Sequence, residues 1–422
     1  MAATISSVNT TYAFANQPLM YLIGYTTTLP DRYVVEVYVE GTAARLAKFY
    51  LTPNVVGKAH FDLSEVVKDR VSVDEMRYGF QDAVITYGSK AYTTSTFGGQ
   101  KFTIKVGTYH NGVEDLDDAS LSCLIVGGTG QISQGLPRPV SGLVNYNADS
   151  KAWFTDRIPD ENNVIHMNMY PREAASMAFM CDSVNFPNGG IVATYTLYNG
   201  TSVVGTEQDL FFNSTYGAQL PSATDNNRKV TYMGVGTKNI TNYIGNPQSP
   251  SAQDWTHYEI VIKSAGGGAL KSSILRFHNV CPPEKHKTYS LHWNNTTGGW
   301  DSAHFSGRAE QTDSVSSKPY RKQIADWNSA TYTQAVEARE FIPYQIEAKT
   351  KYVLTSIDFS FADIELLKYA LRANKLYIMV TGQVGAQLIP VTIDTSSYVV
   401  KEAFSGVFSV SLTVTLAQSI RC

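Results

Sequence analysis

The amino-acid sequence predicts an all-β protein made of tandem β-sandwich modules, with one short helix in the C-terminal module. Segments that alternate apolar and polar residues recur along the chain, and turn signals separate them at intervals of about 8–12 residues. Only residues 362–373, ADIELLKYALRA, have a clear helical stripe. Charged residues make up 17% of the chain against a usual value of about 25%, while Thr, Ser, Asn, Gly and 26 tyrosines are abundant. This composition favours β-structure and broad protein contacts.

The length of 422 residues predicts two to three domains. We expect an N-terminal β-sandwich with an extended N-terminal arm over residues 1–150. A central β-sandwich is expected over 151–315, and a β-rich domain with a short helix over 316–422. The first boundary follows residues 127–147, which are rich in Gly, Pro and Ser and are typical of an inter-domain passage.

The first region starts with a polar arm, residues 1–17, which we interpret as a strap that orders on a neighbouring molecule. Strands are expected at 18–23, 32–40, 47–51 and 101–109, and the second of these is apolar on both faces. Residues 61–67 predict a strand followed by one helical turn, capped by Asp62 or Ser64. The Asn111-Gly112 pair predicts a hairpin turn after the strand at 101–109.

Further strands are expected at 164–170, 174–180, 230–235, 258–262 and 274–277, with a hairpin over 190–204 that turns at Asn199-Gly200. In the third region we expect strands at 341–346, 352–359, 376–380, 388–393, 398–403 and 407–416. Residues 318–322 contain the most basic short patch, Lys318 with Arg321 and Lys322, and the patch is interpreted as a solvated loop.

The stretch YSLHWNNTTGGWDSAHF, residues 289–305, has the features of a hairpin at the junction between modules. Tyr289, Leu291 and Trp293 alternate with polar residues, which predicts a strand with one apolar face. Gly298 and Gly299 permit a tight turn, and Trp300 follows them. We expect Trp293 to face the core and Trp300 to fix the junction.

Several of these segments resemble virion proteins of tailed phages that infect Bacteroidetes, including crAss-like phages. The matching segments are PLMYLIGY with RYVVEVYVEG and FDLSEVVKD, then KFTIKVGTYHNG, then YSLHWNNTTGGWDSAHF with Lys318-Pro319-Tyr320, and finally ELLKYALRANKLYIMV with QLIPVTIDTSSY. The resemblance implies β-sandwich modules of tail, collar or baseplate components. It carries no catalytic motif and leaves residues 200–255 unmatched.

Charge, cysteine content and hydropathy argue against a nucleic-acid-binding, disulfide-rich or membrane-spanning protein. The net charge is −3, and acidic and basic residues are mixed along the chain. No basic face is predicted, so nucleic-acid binding is not expected. Four widely spaced cysteines are no disulfide framework and fit folding in a reducing compartment. The N-terminus lacks the features of a signal peptide, and no stretch reaches the roughly 18 apolar residues of a membrane helix. We therefore expect synthesis in a host cytoplasm, residence in the virion and no membrane insertion.

Two clusters of potential metal ligands have simpler interpretations, and no metal or cofactor is predicted. One contains His278, Cys281, His286, His292 and His304. Their spacing lacks the paired ligands of a zinc site, so surface and turn histidines explain them better. The other contains Glu114, Asp115, Asp117 and Asp118, which are not in the EF-hand order and predict a solvated acidic loop.

No catalytic residues are predicted. Residues 127–130, GGTG, lack the Lys-Ser/Thr of a phosphate loop, and no GxSxG elbow is present. Trp293, Trp300 and the tyrosines can stack on sugars but also serve as core and interface anchors, which we favour. The expected function is a non-enzymatic component of a tailed-phage virion, assembled as a homo-oligomeric ring with other tail, collar or portal proteins. A receptor-binding or carbohydrate-binding module is the alternative.

Overall fold

A computed structural model describes residues 2–7, 12–73, 92–94, 98–128, 132–133, 136–137, 152–171, 173–181, 191–212, 229–244, 254–264, 268–280, 289–322, 330–331, 339–382, 385–394, 399–402, 408–417 and 420–421. It is 60% strand and 7% helix, which confirms the all-β prediction. Within these residues, no helix is long and apolar enough to cross a membrane.

The first region forms two packed sheets. The elements of this region are β1 (Ala3–Ser7), β2 (Tyr12–Phe14), β3 (Met20–Tyr25), β4 (Arg32–Val39), β5 (Arg45–Leu51), β6 (Ala59–Asp62), α1 (Ser64–Val67), β7 (Tyr92–Thr94), β8 (Gly99–His110) and β9 (Val113–Val126), of which β7 lies in neither sheet. The sheet β1-β3-β6 packs on the sheet β2-β9-β8-β4-β5, since residues of both sheets form one buried cluster. Two short strands, β10 (Ile132–Ser133) and β11 (Leu136–Pro137), pair separately.

The described strands of the N-terminal arm pair with other strands of the same chain. Ala3 to Ser7 pair with Tyr25 to Tyr21, and Tyr12 to Phe14 pair in parallel with Leu124 to Val126. Phe14 is fully buried. The prediction of a strap was therefore wrong for these residues, because Ala3 and Phe14 place apolar side chains in the chain's own cores.

The Asn111-Gly112 turn is confirmed, with φ values of 51° and 82°, but the acidic loop after it is not. Glu114 and Asp115 belong to strand β9, where they pair with Tyr109 and Thr108. The Glu114 carboxylate accepts hydrogen bonds from Lys48 at 2.6 Å and from Tyr50. Side chains of strand β5 thus neutralise a charge that the sequence prediction placed in solvent. Asp117 and Asp118 also lie within β9.

The central region pairs a five-stranded sheet with a three-stranded one. Its elements are β12 (Val164–Met169), β13 (Ser176–Cys181), β14 (Ile191–Asn199), β15 (Ser202–Phe212), β16 (Lys229–Gly234), α2 (Thr237–Ile244), β17 (His257–Ser264) and β18 (Ile274–Asn279). The sheets are β12-β18-β17-β14-β15 and β13-β16-β7, and a cluster containing Trp153, Phe179 and Tyr258 fills the space between them. Strand β7 crosses over from the first region to complete the second sheet.

The third region forms a nine-stranded sheet. Its elements are β19 (Tyr289–Asn294), β20 (Trp300–Phe305), β21 (Glu310–Arg321), β22 (Phe341–Phe359), α3 (Phe361–Ala370), β23 (Leu376–Gly382), β24 (Gly385–Ile393), β25 (Val399–Glu402), β26 (Phe408–Leu416) and β27 (Ile420–Arg421). Strand β19 pairs with both β20 and β23, so the hairpin shares a sheet with strands after residue 316. Sheet membership thus groups the hairpin with the third region, while the domain boundaries remain a prediction.

Two differences from the sequence prediction concern strands β21 and β22. The strands expected at 341–346 and 352–359 are one continuous strand, β22, because residues 347–351 pair on one side with β21. The basic patch expected in a loop lies at the end of β21, where Lys318 and Arg321 are exposed. The predicted helix is present as α3, with a capping box between Ser360 and Asp363.

Candidate functional site

The hairpin β19–β20 has both faces buried, and the two faces belong to different cores. Trp293 lies on one face, in a cluster with Leu291 and the residues of helix α3. Trp300 lies on the opposite face, in a cluster that the other regions share. The exposed fraction of the two side chains is 0% and 2%, respectively. The structure therefore confirms that Trp293 faces the core and Trp300 the junction.

The cluster around Trp300 joins all three regions, and we call it the junction core. It consists of Phe14, Val73, Leu124 and Val126 from the first region, Phe154, Ala174, Ala178, Met180, Val230 and Tyr232 from the central region, and Trp300, Met379 and Leu388 from the third. The indole of Trp300 meets the ring of Tyr377 edge-on at a centroid distance of 5.6 Å. Burial of one tryptophan in an apolar cluster drawn from three regions favours a single relative arrangement of those regions.

The glycine turn of the hairpin makes a close backbone approach to the first region. Gly298 has φ +91°, and a Cβ built there would lie 1.7 Å from the Gly127 carbonyl oxygen. A Cβ at Gly299 would lie 2.1 Å from the Phe154 carbonyl oxygen. Glycine is required at both positions because backbone atoms, which cannot rotate away, occupy the space of a side chain. The turn is therefore inserted between the first and central regions.

Buried hydrogen bonds fix the same turn to the central region. The Asn295 side-chain amide donates to the Phe154 carbonyl at 2.7 Å, while its side-chain oxygen accepts from the Thr297 and Gly299 amides. The Asp301 carboxylate accepts from the Asp156 amide at 2.8 Å and from the Thr155 hydroxyl. Hydrogen bonds to a buried carboxylate are stronger than neutral ones, so this contact adds orientation to the apolar packing.

Behind the hairpin lies a fully buried carboxylate, Glu173, on the segment before β13. Its Oε1 is 2.8 Å from His304 Nδ1 and accepts a hydrogen bond from the Ser290 hydroxyl, and its Oε2 accepts from the Tyr170 amide at 3.1 Å. Burial alone would raise the pKa of Glu173, but His304 and the hydrogen bonds from His304 and Ser290 outweigh it and hold the pKa below its usual value.

His292 lies beside this group and is held neutral by its surroundings. Its side chain is 1% exposed, and burial lowers its pKa to about 4 despite the opposing effect of the Glu173 charge. His304 is also buried, at 8% exposure. The interpretation of these two residues as surface histidines was therefore wrong. Both sit on the polar side of the alternation, but a second core covers that side.

Ser290, His304 and Glu173 have the composition of a nucleophile triad but not its geometry. The Ser290 hydroxyl bonds the carboxylate directly, and Ser290 and Glu173 approach the same ring nitrogen of His304, at 3.4 and 2.8 Å. A nucleophilic serine instead contacts the ring nitrogen opposite the carboxylate. Ser290 is 1% exposed, so its hydroxyl lies inside the core and not at the surface. This arrangement orients side chains inside the fold.

A cavity with a volume of about 20 Å³ lies beside His304 and Tyr170, two partners of Glu173. Its lining includes Arg157, Tyr170, His304 and Asp363. A volume of this size accommodates about one water molecule and is far below the several hundred Å³ of a ligand pocket. The Arg157 guanidinium donates to the Ser302 carbonyl at 3.0 Å and lies 3.4 Å from the Asp363 carboxylate. The cavity therefore lies within another contact between the central and third regions.

The candidate zinc ligands that the structure describes do not come together. His292 and His304 lie in the hairpin, whereas His278 lies on the outer face of the five-stranded sheet beside His166, with 2.9 Å between their ring nitrogens. Cys281 and His286 lie outside the described residues. No group of three or more potential ligands occurs within the described part of the chain.

The described tryptophans do not form an exposed platform. Trp153, Trp255, Trp293 and Trp300 are all at most 7% exposed, and Trp327 lies outside the described residues. On the outer face of the five-stranded sheet, Tyr198 and His257 stack on each other at 4.6 Å. Each ring thus covers one face of the other, which leaves less ring surface for a sugar.

The sequence did not single out Glu173, Asp156 or Asp301, although all three are buried at the junction. Asp301 directly follows Trp300 in the strand WDSAHF, and a carboxylate beside a tryptophan expected in a core indicates a buried, hydrogen-bonded charge. Glu173 lies in the segment PREAAS between two strands and resembles any solvent-exposed turn residue. Its burial depends on the third region, over a hundred residues later in the chain.

Comparison with known proteins identifies no family. No family model and no curated protein matches the chain. Among solved structures, a chain from the tail of an empty GTA particle with C6 symmetry matches at a TM-score of 0.19 and 11% identity, covering 31% of this chain and 92% of that one. A marsupial T cell receptor matches at a TM-score of 0.19 and 8% identity, covering 100% and 98%. Scores this low carry no inference about function.

Proposed function

We propose that the protein is a non-enzymatic structural component of a tailed-phage virion that assembles into a ring in the tail, collar or baseplate. The main observation in support of the proposal is the junction core, a single buried cluster to which all three β-regions contribute residues. The sequence resemblance to virion proteins is consistent with this role. A structural subunit transmits load between neighbours, and this requires a fixed arrangement of its parts.

The junction combines several devices that restrict motion between regions. Trp300 lies in the buried cluster that all three regions share, the turn at Gly298 lies against the backbone of Gly127, and Lys375 donates to the Val73 carbonyl at 2.8 Å. Well-packed interiors resist small displacements because they have few alternative arrangements of similar energy. These contacts favour one relative arrangement of the three regions.

Strand β21, away from the junction core, offers an exposed surface for contacts with another protein. Strand β21 is exposed along its whole length, and Val315, Tyr320 and Phe341 of the β21–β22 hairpin are 68%, 46% and 59% exposed. Exposed apolar residues on an extended element are typical of surfaces that contact another protein. A ring also needs two different complementary patches on one chain.

The alternative function, a receptor-binding or carbohydrate-binding module, requires accessible aromatic rings. The burial of the four described tryptophans favours the structural proposal. A glycan array separates the two functions, since specific binding to a glycan class supports the alternative and contradicts a purely structural role.

Sedimentation and electron microscopy of the purified chain, alone and mixed with the other virion proteins, test the proposal. We expect assemblies with rotational symmetry, or incorporation into tail or collar particles. A chain that stays monomeric at all concentrations and joins none of these particles would refute it.

A further inference from the structure

Strand β21 is a sheet edge of unusual length and exposure. It runs for 12 residues, Glu310–Arg321, and all of them are exposed. Among the described strands it pairs only with β22, and it is the last strand at its end of the nine-stranded sheet. The opposite edge, β20, is buried along its whole length.

Such an edge presents backbone amides and carbonyls to another strand. Natural proteins restrict accidental pairing by keeping edges short or by adding proline and lysine. In β21 these protective residues, Lys318 and Pro319, occur only near the C-terminal end. At about 3.3 Å per residue the strand presents an edge of roughly 40 Å. An edge of this length is suited to pairing with a strand of another molecule.

The charges of the strand are divided between its two halves. Glu310 and Asp313 lie in the first half, while Lys318, Arg321 and the following Lys322 lie at the other end. When such a strand pairs antiparallel with a copy of itself, the acidic half of each copy lies beside the basic half of the other. The strand is therefore electrostatically complementary to its own copy.

We propose that β21 pairs antiparallel with β21 of a second copy of this chain, with Ser316 on the two-fold axis. An axis perpendicular to a sheet requires one residue to lie opposite its own copy. With Ser316 at that position, Glu310 lies opposite Lys322 of the second copy, and Asp313 is diagonal to its Arg321. Opposite and diagonal neighbours on a sheet are within reach of long charged side chains.

The local ion pairs leave these charges available. Arg321 contacts Glu340 at 2.5 Å, yet its side chain is 76% exposed. Glu310 is 3.9 Å from Arg308, and both side chains are more than half exposed. Pairing adds partners to groups that are already solvated, so complementarity contributes mainly to register and partner choice.

This inference deepens the proposed function, because it names a second copy of the chain as the partner at this edge. The contact is isologous, whereas a closed ring is held by heterologous contacts. Both contacts together generate dihedral symmetry, in which two rings meet through their β21 strands.

Charge reversal tests the pairing in the full-length protein. Glu310→Lys with Asp313→Lys makes the strand basic throughout, and Lys318→Glu with Arg321→Glu and Lys322→Glu makes it acidic throughout. We expect each variant alone to lose the two-fold contact in sedimentation experiments, with a weakening of at least tenfold. An equimolar mixture of the two variants should restore the contact, because a basic strand then pairs with an acidic one. Since all these side chains are exposed, circular dichroism should show unchanged folding.

A cysteine at the axis tests the register. Under oxidation, Ser316→Cys should form a covalent dimer, because the two residues 316 face each other within disulfide distance. Gln311→Cys is the matched control on the same strand. Its two copies would lie roughly 33 Å apart at 3.3 Å per residue, so it should not cross-link above the background of the native cysteines.

The outcomes separate this inference from the proposed function. Self-association that ignores the charge reversals, or equal cross-linking at positions 316 and 311, overturns the β21 pairing while leaving a structural role intact. A monomer that nevertheless incorporates into virion particles does the same. Loss of association in both charge variants with recovery in their mixture supports the pairing.

Discussion

Replacement of Trp300 by alanine should separate the three regions without unfolding each of them. Trp300 is 2% exposed and belongs to the junction core, whose residues come from all three regions. Removing about 200 Å² of buried apolar surface at about 25 cal/mol per Å² costs about 5 kcal/mol. Large-to-small replacements of buried aromatic residues cost about 3–5 kcal/mol, in agreement with this value. The loss falls on the interface that holds the regions together.

Limited proteolysis is the assay, supported by denaturant unfolding to measure the loss of stability. We expect new cleavage between Asn295 and Tyr320 in Trp300→Ala. Trp293→Ala is the matched control, since it removes an equally buried tryptophan from the opposite face of the same hairpin. This control should destabilise the third region but leave the contact with the first and central regions in place. Identical cleavage in the wild type and Trp300→Ala would show that the junction does not depend on this residue.

Three further predictions concern the turn, acid stability and the helix. Gly298→Ala should destabilise the protein by several kcal/mol more than Gly268→Ala, measured by denaturant unfolding; both glycines have positive φ, but only Gly298 has backbone within 2 Å of the added Cβ. Because the folded-state pKa of His292 is about 4, against 6.5 unfolded, stability should fall by about 3 kcal/mol as pH drops from 6.5 to 4. Glu173, whose pKa is lowered, should add to the loss below pH 4.5, and a stability curve that is flat between pH 6.5 and 4 would refute the assignment for His292. Ser360→Ala should cost about 1 kcal/mol through loss of the cap, visible as a matching decrease in the free energy of unfolding.

Much of the strand pattern could be predicted because alternation and turn residues act locally. The strand at Arg32–Val39, the turn at Asn111-Gly112 and the opposite faces of Trp293 and Trp300 all follow from neighbours within a few positions. The helix expected over residues 362–373 follows from its apolar stripe, and it forms at Phe361–Ala370. In each case the local preference and the final fold agree.

Features that depend on distant segments could not be predicted. His292 and His304 occupy the polar side of an alternating strand, and only the arrival of Glu173 from the central region shows that this side is buried. Strand β21 has few apolar residues, and its partner β22 supplies the pairing that makes it a strand. Glu114 was assigned to a loop for the same reason, since Lys48 and Tyr50 come from strand β5.

The hydrogen bond from Asn295 to the Phe154 carbonyl joins positions separated by 141 residues, and the one from Lys375 to Val73 joins positions separated by 302. During synthesis at about 5–20 residues per second, Phe154 therefore leaves the ribosome roughly 7–28 seconds before its partner exists. Through that interval the apolar side chains of the junction core from the first two regions have no third region to cover them. The same arrangement that makes the finished subunit rigid thus exposes the nascent chain to premature association, and completion of the hairpin sets the time at which that exposure ends.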